Sequence, residues 1–235
     1  MDHMILRSDK EFLILDRRFT LPDTVIHNGI TYHHFREGLY FHQSTTDKGM
    51  SNLFECLARE FDYENNYVTK TYNCSIYHRL LESSSKFLSN KNNTSILDFG
   101  CGTGLGFDVI KNHFPNSKLM GFDLSDLMVN ISKNVGYIAV YEKQNKMTLS
   151  SDSIELVIGV FVLGLIRSNA WINEIYRVMK SSAIAVFNIY LPENDWEVKY
   201  NDWFAHEGFE VLYNSVENFS IPGISYDMPV YIVRK

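Results

Sequence analysis

The stretch Ile96–Asp108, "ILDFGCGTGLGFD", decides the fold. A short apolar run ends in an acid, Asp98, and four glycines follow at 100, 102, 104 and 106. The run has the length of a buried strand. Glycines after it let the backbone turn tightly and approach a ligand, and the first N–H groups of a following helix face the same space. In an open α/β sheet such a loop lies beyond the carboxyl ends of the strands, where ligands bind. A dinucleotide loop needs GxGxxG with a further acid about twenty residues on. Here the spacing is GxGxGxG. Counted from Gly100, the third glycine position holds Leu105; counted from Gly102, it holds Phe107. The dinucleotide pattern fails in both registers.

Downstream of the loop, strand and helix patterns alternate. Residues 95–99, 118–123, 136–141, 154–161 and 183–190 read as strands. Helical spacing appears near 104–112, over 125–134, over 169–180 and around 194–206. In the third of these helices Ile172, Ile175, Tyr176 and Met179 share a face. Strands separated by helices imply crossover connections and a largely parallel sheet covered on both sides. The end differs: strands at 209–215 and 229–235 have no helix between them, so they form an antiparallel pair at the sheet's edge. Upstream, residues 12–15 suggest a strand. Asn28-Gly29 between two β-rich runs signals a hairpin, because its turn needs positive φ at both central positions. Residues 51–61 and 75–88 carry apolar residues at helical steps, with Ser51 or Asn73 as candidate caps.

The expected fold is therefore α/β: a Rossmann-like, seven-stranded, mostly parallel sheet with an antiparallel terminal hairpin, plus an N-terminal hairpin and helical extension. Residues 1–70 form the extension, a lid or a dimerisation element, and residues 71–235 the main domain. The oligomeric state stays open.

The chain of 235 residues is 45% hydrophobic and 21% charged, ordinary values for a soluble globular protein. A net charge of −6 speaks against a broad nucleic-acid footprint, which is usually basic. Cys56, Cys74 and Cys101 show no CxxC spacing, which suits a reducing, cytoplasmic setting. The first residues lack the pattern of a secretory signal. The longest apolar run, residues 156–166, is too short to span a bilayer.

From about residue 70 onward the chain resembles the class I S-adenosylmethionine-dependent methyltransferases. "ILDFGCGTG" resembles that family's first motif, and "LMGFDLSDLMV" its second strand with a terminal acid. "SIELVIGVFVLGLI" sits where the fourth strand lies, "INEIYRVMK" resembles the helix before the fifth, and "HEGFEVL" with "YIVRK" the closing hairpin. The resemblance implies S-adenosylmethionine as cofactor. It implies that Gly100, Gly102, Thr103 and Gly104 pass beside the methionine part and that Asp98 helps hold its ammonium group. Asp123 would accept hydrogen bonds from the ribose hydroxyls and Leu124 would pack on adenine. Val160 and Phe161 would border the methyl end.

The chain also departs from the family. Lys143 stands where an acid is frequent after the third strand, with Gln144 beside it as the adenine contact and Glu142 as the alternative if the register shifts by one. Gly164 and Leu165 stand where many small-molecule members have histidine. Ser181, Ser182 and Ala183 replace a frequent Pro-Gly-Gly turn.

The implied activity is methyl transfer to a small-molecule acceptor, with an oxygen or nitrogen nucleophile favoured. The alternatives are a peptide or protein acceptor, or cofactor binding without transfer. Nucleic acid and membrane partners are not expected, and no catalytic base is identified. His33, His34 and His42 crowd one aromatic segment, yet their spacing matches no metal signature. Cys101, inside the loop, reads as packing. Tyr190 and Trp196, past the fifth strand, fall on the edge where an acceptor would bind.

Overall fold

The computed structural model describes residues 5–8, 12–16, 18, 20–36, 38–42, 46–60, 67–88, 94–166, 168–189 and 195–235. Tyr190 lies outside the described residues. The chain divides into two units, Met1–Tyr63 and Glu64–Lys235.

In the first unit Asn28 and Gly29 take φ of 51° and 77°, the two-residue turn that their sequence predicts. They join β3 (Thr24–His27) to β4 (Ile30–Arg36), with Val25 opposite Tyr32. This hairpin belongs to a larger antiparallel sheet that includes β1 (Ile5–Ser8), β2 (Phe12–Leu15) and β5 (Leu39–Phe41), in the order β1-β2-β5-β4-β3. Strand β2 is buried along its whole length because both faces are used. Phe12 and Ile14 pack with Leu53 and Cys56 of α1 (Asp47–Glu60), while Leu13 and Leu15 pack with Val25, Tyr32 and Tyr40. Ser51 does not cap α1. It lies inside the helix, where a residue's backbone has intrahelical partners, and Thr46 Oγ1 accepts from Gly49 N at 3.0 Å instead.

The second unit begins with α2 (Tyr67–Ser85), which likewise holds Asn73 in its interior and not at its cap. The strands that follow are β6 (Ser95–Phe99), β7 (Lys118–Phe122) and β8 (Ile138–Val140). After them come β9 (Glu142–Lys143), β10 (Lys146–Met147), β11 (Ile154–Gly159), β12 (Met179–Asn188), β13 (Glu210–Ile221) and β14 (Ile224–Arg234). Between them lie α3 (Phe107–His113), α4 (Asp126–Val135), α5 (Ala170–Val178) and α6 (Trp196–Glu207). Seven strands form one sheet in the order β13-β14-β12-β11-β6-β7-β8. The pairs from β12 to β8 are parallel, and β14 is antiparallel to both β12 and β13. The expected fold class is the observed one. Tyr72, Tyr77 and Leu80 of α2 with Val109 and Ile110 of α3 cover one face. Trp171, Ile172 and Ile175 of α5 with Tyr200 and Phe204 of α6 cover the other.

Helix α3 starts later than its periodicity suggests, because Gly104 at φ 95° cannot continue a helix backward. Met179, expected on the α5 face, has extended backbone and opens β12. The closing strands run well past the expected segments, to a turn at Pro222 and Gly223. Polar residues hide that extension from an apolar count: the Asn218 amide bonds Ser225 Oγ at 2.9 Å and Asp227 Oδ1 at 2.8 Å across the hairpin. Among the described residues no helix is long and apolar enough to cross a membrane.

Ser182 holds φ at 64°, and the β11–β12 register shifts beside it. Its N–H donates to Lys235 O at 2.8 Å, which fixes the turn. A non-glycine residue there carries a steric cost of roughly 1 kcal/mol. Ser182→Gly is expected to raise stability by about 0.5–1 kcal/mol, read as a higher urea midpoint with an unchanged slope. An unchanged or lower midpoint would show that the turn is unstrained.

Candidate functional site

Strands β6, β7 and β11 are neighbours, and their registers align Asp98 with Ile158 on one side and Gly121 on the other. Their carboxyl ends therefore bring the glycine loop, Asp123 and the Val160–Phe161 turn to one edge. The loop is tied down at once: Gly100 N and Cys101 N both donate to Phe122 O, at 2.8 and 2.9 Å. Gly100, Gly102 and Gly104 all have positive φ. They do not face the same surroundings. A Cβ at Gly100 would lie 2.9 Å from Val162 Cγ2, one at Gly104 would be 3.3 Å from Val135 Cγ2, and one at Gly106 would overlap the Tyr77 ring. At Gly102 it would meet nothing within 4 Å. Gly102 is thus where the loop opens on free space.

Asp123 organises that opening. Its Oδ2 accepts from Gly102 N at 3.1 Å and its Oδ1 from Ser125 N at 3.0 Å. Ser125 in turn caps α4, its Oγ accepting from Met128 N at 3.2 Å. A carboxylate offers about four acceptor positions, so this side chain is chemically suited to hydroxyl donors. Thr103 is 5% exposed, and its Oγ1 finds no hydrogen-bond partner among the described residues. Leu124, beside Asp123, packs partly buried against the core.

Asp98 is fully buried. Tyr77 Oη donates to both its oxygens at 3.0 Å, and Tyr137 Oη donates to Oδ2 at 2.5 Å. Burial pushes the carboxyl up to about 7; the two tyrosine hydroxyls pull it back, and the nearby Asp123 charge adds to the rise. Neither tyrosine has a signal in the sequence, since they lie 21 and 39 residues from Asp98. Burial also pushes the Cys101 thiol well above its ordinary range, so it stays protonated and serves as packing.

The turn after β11 is strained. Phe161 has φ of 66°, an unfavourable value for an aromatic residue, costing on the order of 1–3 kcal/mol. Its N–H donates to Asn188 Oδ1 at 2.8 Å, and the fully buried Asn188 donates from Nδ2 to Met228 Sδ at 3.3 Å. The Phe161 ring stacks on Tyr72, with centroids 6.3 Å apart and planes 26° apart. Asn188 and Tyr72 were not singled out from the sequence, because only the β11–β12 pairing and the packing of α2 bring them to this turn.

Gln144 and Asn145 form a two-residue turn, at φ of 54° and 59°, between β9 and β10, and Gln144 is exposed. In the first unit His34 lies against Tyr40 and His42 against Tyr32, with ring centroids 5.1 and 5.7 Å apart. Among the described residues no three His, Cys, Asp or Glu side chains are grouped for a metal ion.

Residues 96–182 match the family model of a methyltransferase domain. The protein-methionine methyltransferase laeA of Emericella nidulans is 27% identical over 136 residues, covering 55% of this chain and 30% of that protein. The malonyl-[acyl-carrier protein] O-methyltransferase of Hahella chejuensis is 26% identical over 118 residues, covering 48% of this chain and 42% of that protein. The chain thus spans less than half the length of these curated relatives. Magnesium protoporphyrin IX methyltransferase from Synechocystis, solved with bound S-adenosylmethionine, superposes with a TM-score of 0.58 at 14% identity. That superposition covers 83% of this chain and 99% of the other. Sheet order and the solved neighbour give residues 64–235 the fold of the class I S-adenosylmethionine-dependent methyltransferases, and residues 96–182 match a methyltransferase domain.

Proposed function

We propose that this chain transfers a methyl group from S-adenosylmethionine to an oxygen or nitrogen nucleophile of a small molecule, by in-line displacement. The observation that carries the reading is the opening at Gly102, flanked by the Asp123 carboxylate and the buried Thr103 hydroxyl, which has no partner among the described residues. A polar hydroxyl buried without a partner costs free energy unless a ligand satisfies it.

In this reading Gly100, Gly102, Thr103 and Gly104 pass beside the methionine part. Asp98 faces the ammonium group, Asp123 takes the ribose hydroxyls, Leu124 the adenine, and Val160 with Phe161 the methyl end. Gln144, on the exposed turn between β9 and β10, is a further adenine contact. The cofactor supplies a methyl group already activated on a sulfonium. The protein's share is then to hold the acceptor in line and keep water out, and such orientation can remove roughly 7–11 kcal/mol of a barrier. The net charge of −6 supports an acceptor other than nucleic acid.

A second reading has the acceptor carried on a protein or peptide. It is favoured by the names of two relatives, a protein-methionine and an acyl-carrier-protein methyltransferase. One experiment separates the two: incubate the chain with S-adenosylmethionine labelled in the methyl group and a cell extract, then divide the extract by ultrafiltration. Label in the low-mass filtrate supports the small-molecule reading, and label retained with macromolecules supports the second. Cofactor binding with no label in either fraction would leave a binding protein without transfer.

A further inference from the structure

S-adenosylmethionine and its demethylated product share an adenosine, an ammonium group and a carboxylate. Contacts from Asp123 or Asp98 therefore cannot tell them apart. Only the sulfonium charge and the methyl group differ, and both belong to the end of the cofactor assigned above to the turn after β11.

That turn is held from several directions. The Asn188 amide fixes the Phe161 N–H at 2.8 Å and is itself bonded to Met228 Sδ. Val162, the next residue, lies against the glycine loop, so that a Cβ at Gly100 would be 2.9 Å from its Cγ2. The Phe161 ring is stacked on Tyr72, and Tyr72 meets Tyr226 edge-on at 5.8 Å and 62°. On the same helix Tyr77 closes on Gly106 and Asp98. One face of α2 thus joins the strained turn to the glycine loop. A strained backbone held by a buried amide persists only where surrounding contacts over-determine it, and such strain gathers at ligand sites.

We propose that the Phe161–Tyr72 aromatic pair reads the sulfonium charge of the bound cofactor, and that Asn188 is the positioning residue that keeps the Phe161 ring in place for it. This rests on the cofactor reading above. Aromatic faces carry negative charge density, so a cation gains from them what a neutral thioether does not. The chain therefore favours the methyl donor over the spent product, which eases product exchange.

The test is calorimetric titration of S-adenosylmethionine and S-adenosylhomocysteine into wild type, Phe161→Leu, Phe161→Tyr and Asn188→Ala. Phe161→Leu is expected to weaken donor binding by about 3- to 30-fold, the size of a partly to fully desolvated cation–π contact, with product binding held within about twofold. Asn188→Ala is expected to shift the donor-to-product ratio in the same direction. Phe161→Tyr, which keeps the ring, should preserve the ratio. Adding Asn188→Ala to Phe161→Leu should then change the ratio little further, since both act on one ring. Equal weakening of both ligands, or no change in either, would overturn the proposal while leaving the cofactor reading intact. Failure of wild type to bind either ligand would overturn both.

Discussion

Replacing Asp98 by asparagine is expected to make the protein more stable at pH 8 and worse at binding its cofactor. The carboxyl is fully buried and pushed from 3.8 up to about 7, so the folded state holds its proton more tightly than the unfolded chain does. Its contribution to stability is fully present below the unfolded value and is lost as pH rises through 7. Well above pH 7 a rise of this size costs the folded state about 4 kcal/mol. Asparagine is isosteric and uncharged, so it escapes that cost and still offers Tyr77 and Tyr137 one acceptor oxygen. The thermal midpoint of Asp98→Asn should exceed that of wild type by several degrees at pH 8, and the gap should narrow to roughly half by pH 5.5 and close only below the unfolded value of 3.8. Cofactor affinity should move the other way. Charged hydrogen bonds are worth about 1.5–3 kcal/mol, so the variant should bind S-adenosylmethionine about 10- to 150-fold more weakly at pH 8. Wild-type affinity should itself rise with pH through 7, as the carboxylate forms opposite an ammonium group. Parallel midpoints across that pH range would show that the two tyrosines already keep the carboxylate ionised.

The largest loss of binding is expected at Asp123. Asp123→Ala removes the acceptor for Gly102 N and for Ser125 N together with the oxygens assigned to the ribose hydroxyls. Two charge-assisted bonds to a ligand are worth about 3 kcal/mol or more, so calorimetry should show affinity for donor and product alike falling at least about 100-fold. Asp123→Asn, with one acceptor oxygen left, should fall between alanine and wild type. The contrast with Phe161→Leu is diagnostic: the ribose contact leaves the ratio of the two ligands unchanged, and the aromatic contact alters it. Micromolar binding retained in Asp123→Ala would remove Asp123 from the site.

Where the sequence succeeded, the information was local. The alternation from residue 95 onward expresses itself within one strand or one helix at a time, and the Asn28-Gly29 turn is specified by two adjacent residues. The order of acid, loop and second acid likewise survives in sequence, because each follows directly from the end of its own strand. The boundaries were less legible. Gly104 delays α3, Met179 passes from helix to strand, and polar residues along β13 conceal half a hairpin. Nor does the sequence show that residues 142–147, Gln144 among them, close on themselves as a hairpin.

The sequence by itself determined the fold class, the glycine loop and Asp123, since backbone geometry at a strand end demands particular residues at that point in the chain. Only the tertiary structure decided what those residues face. The pairing of β6, β7 and β11 leaves Gly102 open while Gly100, Gly104 and Gly106 are filled by side chains from other elements. The packing of α2 brings Tyr77 to Asp98 and Tyr72 to Phe161, and the pairing of β12 with β11 brings Asn188 to the strained turn. Those contacts join residues 21 to 89 positions apart. Such partners carry no periodicity or motif of their own, because what selects them is shape and hydrogen-bonding complementarity in the folded core.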